Sequence, residues 1–230
     1  MSAADIHSSE ANDKFEKRAR ILDAALTNFS AYGFARTSMA DIAKSADMSR
    51  PALYLHFRNK EEIFRATLET ILDRALANGQ HALAPTELTG LRGPTLERAL
   101  AAQLTTFLDR YHGDLMELFT ETLHGDDLLA ADDSNAADIL DDAARRSRAG
   151  LSRYFSELTA LGLFDSKRSG QPATRWIEMI LLSPRGLKQD RPSVAQYRRR
   201  LETLAICVAA GMCGDSATSN GRAKSRNRPR

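Results

Sequence analysis

Apolar residues open the chain at helical spacing. Phe15, Ala19, Leu22, Leu26 and Phe29 are separated by alternating steps of four and three residues, which places them on one face of a helix. Gly33 supplies a left-handed stop for that helix. Three helix starts then follow closely. Ser38 with Asp41 has capping-box spacing, and Thr37 is an alternative N-cap. Ser49 precedes Arg50 and Pro51, and proline suits a first turn because its missing N–H has no partner there. Asn59 pairs with Glu62 in the same way. The predicted helices span about 38–46, 49–57 and 60–77. The two short ones cannot stand alone and must pack on the first helix and on each other.

Beyond them, Gly79 to Pro94 is polar and broken by Pro85, Gly90 and Gly93, and reads as a linker. Five further helices are predicted near 94–112, 114–124, 134–162, 172–183 and 193–212. Gly113, the acidic run from Gly125 to Asp133, Gly170–Pro172 and the Pro184 to Pro192 stretch separate them. Residues 1–13 read as a flexible arm, and 214–230, almost without apolar residues, as a disordered basic tail. Arg222, Lys224, Arg226, Arg228 and Arg230 give that tail either a nonspecific attraction for DNA or a merely solubilising role. The fold class is therefore all-α: a three-helix head over 14–59, joined by a linking helix to a helical domain over 60–213.

Charge changes the picture more than composition does. The net charge of +2 conceals a neutral stretch over 1–77, −8 over 78–165 and +10 over 166–230. A uniformly basic DNA-coating protein is excluded, so any nucleic-acid contact must come from a local patch. Cys207 and Cys213 lie six residues apart on one helix and point about 120° away from one another. They read as buried, reduced thiols, not as an internal disulfide. No run of apolar residues is long enough to span a membrane, and Met1 to Asp13 lacks an apolar signal core, so a cytoplasmic location is expected. The five histidines are scattered. No nucleophile elbow, phosphate-cradling glycine loop or metal-ligand spacing is present, so neither an enzyme nor a metal or cofactor is expected.

The informative stretch is Thr37 to Lys60, TSMADIAKSADMSRPALYLHFRNK. Ile42 and Leu53 are apolar positions that pin two helices together. Ala43 is small enough to let them cross closely, and Met48 fills the hinge. Ser49 then caps a helix whose outer face carries Arg50, Tyr54 and His56. Residues 33–60 carry a net +3, which supplies the required patch. This is the physics of a helix-turn-helix. Singly, Arg50 reads as a solvated charge, His56 as a surface histidine and Tyr54 as a core residue. Their joint spacing on one capped helix changes that reading.

The segment resembles the DNA-binding domain of the TetR (tetracycline-repressor, AcrR-type) family. The resemblance is carried by Gly33–Phe34, by Tyr54-Leu55-His56-Phe57 and by Lys60, and covers about residues 15–65. It implies a transcriptional regulator whose helix 49–57 enters the major groove of double-stranded operator DNA. Arg50 would reach base edges, Pro51 and Ala52 would touch a thymine methyl, and Tyr54, His56 and Lys60 would meet phosphates. Thr37 and Ser38 would present a helix N-terminus to the backbone. Two positions depart from the family pattern: Asp47 stands where glycine is usual in the turn, and Ala40 where some relatives carry a base-contacting side chain.

The same resemblance implies a homodimer. Its interface would be built from Trp176, Ile177, Ile180 and Leu181 on one helix and from Leu201, Leu204, Ala205, Val208 and Met212 on the next. The alternative reading of these stripes is that they complete the core of one subunit. The resemblance further implies a small-molecule effector pocket in the middle helices, for which Phe107, Tyr111, Met116, Phe119, Phe155 and Trp176 are the candidates, with Arg110 and His112 as polar anchors. Such a set is also what a plain core looks like. Filling the pocket would tilt helix 60–77 and respace the heads, releasing a repressor from its operator. The alternative is a regulator with the same head, no small ligand, and control by a protein partner.

Overall fold

The computed structural model describes residues 3–120 and 136–214, with side chains from Asn12 onward except that of Phe119. The predicted helix end at 124, the acidic run and the helix start at 134 lie outside the described residues, as does the basic tail beyond Gly214. The elements are α1 (Ala3–Tyr32), α2 (Met39–Ser45), α3 (Arg50–Tyr54), α4 (Lys60–His81) and α5 (Gly93–Leu108). There follow α6 (Asp114–Thr120), α7 (Ala137–Ala160), α8 (Ser166–Ser169), α9 (Ala173–Leu187) and α10 (Val194–Cys213). A 3₁₀ turn at Pro85–Leu88 precedes α5, and a π-helical turn at Asp109–Gly113 links α5 to α6. No strand occurs among the described residues. Nor is any helix among them long and apolar enough to cross a membrane. The chain forms two compact units, one from Met1–Ala77 with Asp114–Arg146, the other from Asn78–Gly113 with Ser147 onward.

The first unit is built on α1. This helix starts at Ala3, so residues 3–13 are helical where an arm was expected. Ala3, Ala4 and Ala11 favour helix, Asn12 donates to Glu16 at 2.7 Å, and Lys17 pairs with Asp13 at 2.5 Å, each a turn apart. The buried face of α1 is Ile21, Leu22, Ala25 and Phe29, and Phe15, expected on that face, is 71% exposed. Beyond Gly33 the chain folds back through an aromatic trio. Phe29, Phe34 and Phe64 have ring centroids 5.1–5.8 Å apart in tilted and edge-on contacts. Met39, Ile42 and Ala43 of α2, then Leu53, Phe57 and Ile63, complete this core. Asn28 ties α1 to α2 by donating to the Ser45 hydroxyl at 2.8 Å. Arg65 grips Asp138 with two bonds of 3.0 and 2.6 Å, and Arg146 reaches Asp73 at 2.5 Å. These exposed pairs set the register of α4 against α7 more than they add stability.

In the second unit α10 packs along α5 and touches α8, α9 and the π-helical turn. Apart from α3, which stops at Tyr54 where 57 was predicted, three boundaries and one additional helix differ from the sequence reading. Helix α4 continues through Gly79 to His81, where a linker was predicted. The missing side chain is needed, because a Cβ there would lie 3.1 Å from the Phe107 carbonyl oxygen and 3.2 Å from Tyr111 Cβ. Helix α9 runs through Pro184 to Leu187. Pro184 lies in its last turns, where one lost backbone bond costs little continuity, and its carbonyl accepts from the buried Tyr197 hydroxyl at 3.2 Å. The short α8 was not foreseen. The Asp165 carboxylate caps it by accepting from the Lys167 N–H at 2.9 Å, and Gly170 ends it at φ 68°. Finally, α5 passes into a π turn instead of continuing as α-helix to 112, and there Arg198 pairs with Asp109.

The apolar stripes assigned to a dimer interface are mostly turned inward. Ile177, Ile180, Leu201, Ala205, Val208 and Met212 are buried within the unit, while Trp176, Leu181 and Leu204 are half-buried. The face of α10 that meets α5 takes the most apolar stripe, as the core of a single subunit requires. The large apolar side chains left in solvent on these helices are Met179, Leu182 and Ile206. Cys207 is exposed as well, against the expectation of burial.

Candidate nucleic-acid interface

The two short helices owe their positions to caps and to one hinge. At α2, the Ser38 hydroxyl accepts from the Asp41 N–H at 3.2 Å and donates to Asp41 Oδ2 at 2.6 Å, while the Ser38 N–H donates to the same oxygen at 2.9 Å. These bonds, the hydroxyl's foremost, hold the Asp41 carboxyl below the usual carboxylate range. At α3, the Ser49 hydroxyl accepts from the Ala52 N–H at 3.3 Å. Between the helices, Asp47 adopts φ 52°, and the N–H groups of Asp47 and Met48 bond back to the carbonyls of Lys44 and Ala43 at 3.2 and 3.0 Å. This is the left-handed turn for which glycine is the easier residue.

With the hinge set, α3 has a fixed rotation. Leu53 is fully buried and Phe57 is 1% exposed, so the helix is bolted to the core along one edge. The opposite edge presents Arg50 and Pro51 to solvent, Tyr54 at 44% exposure and Ala52 half-covered. The Arg50 guanidinium lies 5.9 Å from the Tyr54 ring centroid, so cation and aromatic share one surface. His56 is half-buried just past the helix end. Its pKa is drawn below the ordinary histidine value, first by burial and then by Lys14, Lys17 and Arg18 of α1.

Two of the residues expected on DNA have internal duties. Thr37 is 2% exposed and its hydroxyl is directed at the carbonyls of Gly33 and Asn28, at 2.8 and 3.2 Å. It locks the turn after α1 and does not face solvent. The Lys60 ammonium donates to the Phe34 carbonyl at 2.7 Å and lies 4.3 Å from the Phe34 ring centroid. It is engaged in holding that turn against α4. The start of α4 is also no open anion site, since Glu61 and Glu62 stand in its first turn and Glu62 accepts from the Arg58 N–H at 2.8 Å. Ser38 is exposed, but the helix start beside it already carries Asp41. Lys14, Lys17 and Arg18 were missed as neighbours of this surface, because nothing in sequence spacing brings residue 56 beside residues 14–18.

Of the six residues assigned to an effector pocket, Phe107, Tyr111, Phe155 and Trp176 belong to the second unit, the first three of them buried, and the side chain of Phe119 lies outside the described ones. Phe107 and Phe155 are fully packed; the Phe107 and Tyr111 ring centroids lie 6.0 Å apart, and Phe155 meets Phe164 edge-on at 5.2 Å. Trp176 fills the notch over Gly211, where a Cβ would lie 2.3 Å from its ring, and its indole N–H points to the Ser169 hydroxyl at 3.4 Å. Met116 belongs to the first unit. Surface hollows of the second unit include one of about 460 Å³ beside Leu187, Arg199, Thr203 and Cys207 and one of about 700 Å³ beside Thr159, Phe164, Arg168 and Pro172; Phe107, Tyr111, Phe155 and Trp176 line neither. The residue beside Tyr111 is more unusual. His112 Nε2 is buried without a hydrogen-bond partner, and burial, with Lys188 and Arg185 nearby, pushes the imidazole pKa down to about 3.

A short helix, capped by a serine, fixed across a partner helix by apolar residues and exposing a cationic, aromatic edge, defines a helix-turn-helix head. The comparisons agree. The description of bacterial regulatory proteins, tetR family, matches residues 21–67. The chain is 35% identical over 108 residues to the transcriptional regulator SrpR of Pseudomonas putida, covering 47% of this chain and 46% of SrpR. It thus spans about half the length of that relative. It is likewise 35% identical over 108 residues to the uncharacterised regulator TtgW, also of Pseudomonas putida, covering 47% of this chain and 72% of TtgW. Among solved structures, the SmeT–triclosan complex shares the fold at a TM-score of 0.57 and 19% identity, covering 94% of this chain and all of that one. SmeT is described as the repressor of a Stenotrophomonas maltophilia multidrug efflux pump. The chain belongs to the tetR family of bacterial regulatory proteins. These relatives are regulators and not enzymes.

Proposed function

We propose that this chain is a DNA-binding transcriptional regulator, a repressor that works as a homodimer and leaves its operator when a small molecule binds. The observation that carries the reading is the fixed rotation of α3: burial of Leu53 and Phe57 leaves Arg50, Pro51 and Tyr54 as the edge a duplex can meet. Arg50 suits the O6 and N7 of guanine, Pro51 and Ala52 a thymine methyl, and Tyr54 a phosphate. Ser38, exposed at the start of α2, and His56, just past the end of α3, are the remaining candidates for phosphate contact. One such helix reads only a few base pairs, so specific affinity calls for two heads about one DNA turn apart. Met179, Leu182 and Ile206, apolar and exposed, are the surface that a second copy would cover.

The ligand part of the proposal leans on SmeT, a protein of the same fold that takes triclosan. In this chain a ligand would enter the second unit by displacing packed aromatics such as Phe107 or Phe155. That tight packing favours a second reading, a regulator with no small ligand that answers to a protein partner. A thermal-shift screen with apolar and aromatic metabolites separates the two: a raised melting temperature supports the ligand, and a flat response to every compound supports the partner.

The DNA reading is tested at Arg50. Arg50→Ala is expected to cost about 1–3 kcal/mol at the preferred duplex and to relax the choice at one base pair per half-site. Titration against single-base variants of that duplex reads both effects. An equal loss on every sequence contradicts base reading by Arg50.

A further inference from the structure

We propose that Lys14, Lys17 and Arg18 of α1 form, together with His56, a second DNA-contacting site that binds a backbone phosphate beside the end of the reading helix. The inference rests on α3 being the DNA helix and adds a site on a different element. Residues 14, 17 and 18 are spaced by three and four, so they share one face of α1. All three stand close enough to His56 to act on its imidazole. The Arg18 guanidinium is fixed there, stacked 4.3 Å from the centroid of the buried Phe57 ring. Lys14 is exposed and has no acidic partner among the described residues, and Lys17 is half-buried.

The acid facing His56 is Asp13, which pairs with Lys17 at 2.5 Å. Three cations therefore converge with one carboxylate on a half-buried imidazole. Such a cluster gains nothing from its own proximity, and its field suits an incoming anion. A phosphodiester is the anion that a surface next to Tyr54 would meet, and it accepts from lysine, guanidinium and imidazole N–H alike.

The histidine gives the site a signature. In the free protein burial and the three cations disfavour the protonated imidazole. A phosphate among them reverses the local field and favours the protonated ring. DNA binding then takes up a proton, so affinity rises as pH falls and is lost as pH climbs through the bound-state pKa. Asp13, Lys14, Lys17 and Arg18 are the charged groups that face His56.

The test uses the full chain and a labelled duplex of about 30 base pairs of mixed sequence, with affinity measured between about 50 and 200 mM salt. The double variant Lys14→Ala, Lys17→Ala is expected to lower the slope of log affinity against log salt by about two for each DNA-bound subunit, one unit per lost cation contact. Its melting temperature should match the parent. The control Lys167→Ala, Arg175→Ala, two exposed cations of the second unit, keeps the slope. His56→Gln is expected to bind at about pH 8 but to lose the strengthening that the parent shows towards about pH 6. An unchanged slope in the double variant, or an intact pH response in His56→Gln, overturns the site while leaving α3 as the DNA helix. A parent protein that binds no duplex at any salt removes the DNA reading of α3, and this site with it.

Discussion

Phe57→Ala is expected to destabilise the first unit by about 3–5 kcal/mol and to abolish DNA binding at ordinary temperature. The ring is 1% exposed among Leu53, Ile63 and the α1 core, and Arg18 stacks on its face. Removing it leaves a cavity that two short helices cannot close by themselves, since α2 and α3 hold seven and five residues. It also frees the end of α3, whose last anchor is the Phe57 N–H bonding to the Leu53 carbonyl at 3.1 Å. Two residues away, Leu55 is 84% exposed, and Leu55→Ala should change stability by no more than about 0.5 kcal/mol. Urea unfolding of the two variants reads the contrast. Equal, small losses at both positions would show that Phe57 does not anchor α3.

The second large effect is acid sensitivity centred on His112. Its imidazole pKa is about 3 in the folded chain, against an ordinary value of 6.5 once unfolded. Between these values the unfolded chain binds the extra proton. The contribution is therefore complete above pH 6.5 and is lost as pH falls towards 3, at about 1.4 kcal/mol per pH unit. Carboxylates also titrate in the lower part of that window, so the informative quantity is the difference between the parent and His112→Leu. Leucine neither titrates nor leaves a buried nitrogen without a partner. Stability measured by denaturant at several pH values should show the parent falling away from the variant as the solution is acidified. Parallel curves would mean that His112 reaches water or a partner when protonated.

How much of this was legible in the sequence follows the range of the interactions. Caps are bonds between residues three apart, so Ser38 with Asp41 and Ser49 before Arg50–Pro51 could be read directly, and the capped starts of α2 and α3 follow from them. The left-handed turn at Asp47 was legible only through the family resemblance, which puts glycine at that position. Which face of a helix is buried is settled by its neighbours. Phe15 therefore lies outside the stripe it seemed to open, and Leu201 and Val208 went to the core while Ile206 stayed in solvent. Thr37 and Lys60 match a motif by type, but their partners are carbonyls brought near by the fold, and type alone does not reveal them. Gly79 and Pro184 look like breaks, yet each is accommodated by a contact with another helix or turn. The cluster of Lys14, Lys17, Arg18 and His56 joins residues far apart along the chain, and no local pattern announces it.

Whether α3 reads bases is tested head-on by selecting bound fragments from a pool of random duplexes with this chain. Enrichment of an inverted repeat is expected, its half-sites centred about 10 base pairs or a multiple apart, each containing a guanine whose replacement weakens the parent but not Arg50→Ala. A pool that emerges unenriched, or a recovered site whose guanines matter equally to both proteins, would show that α3 is not the reading helix.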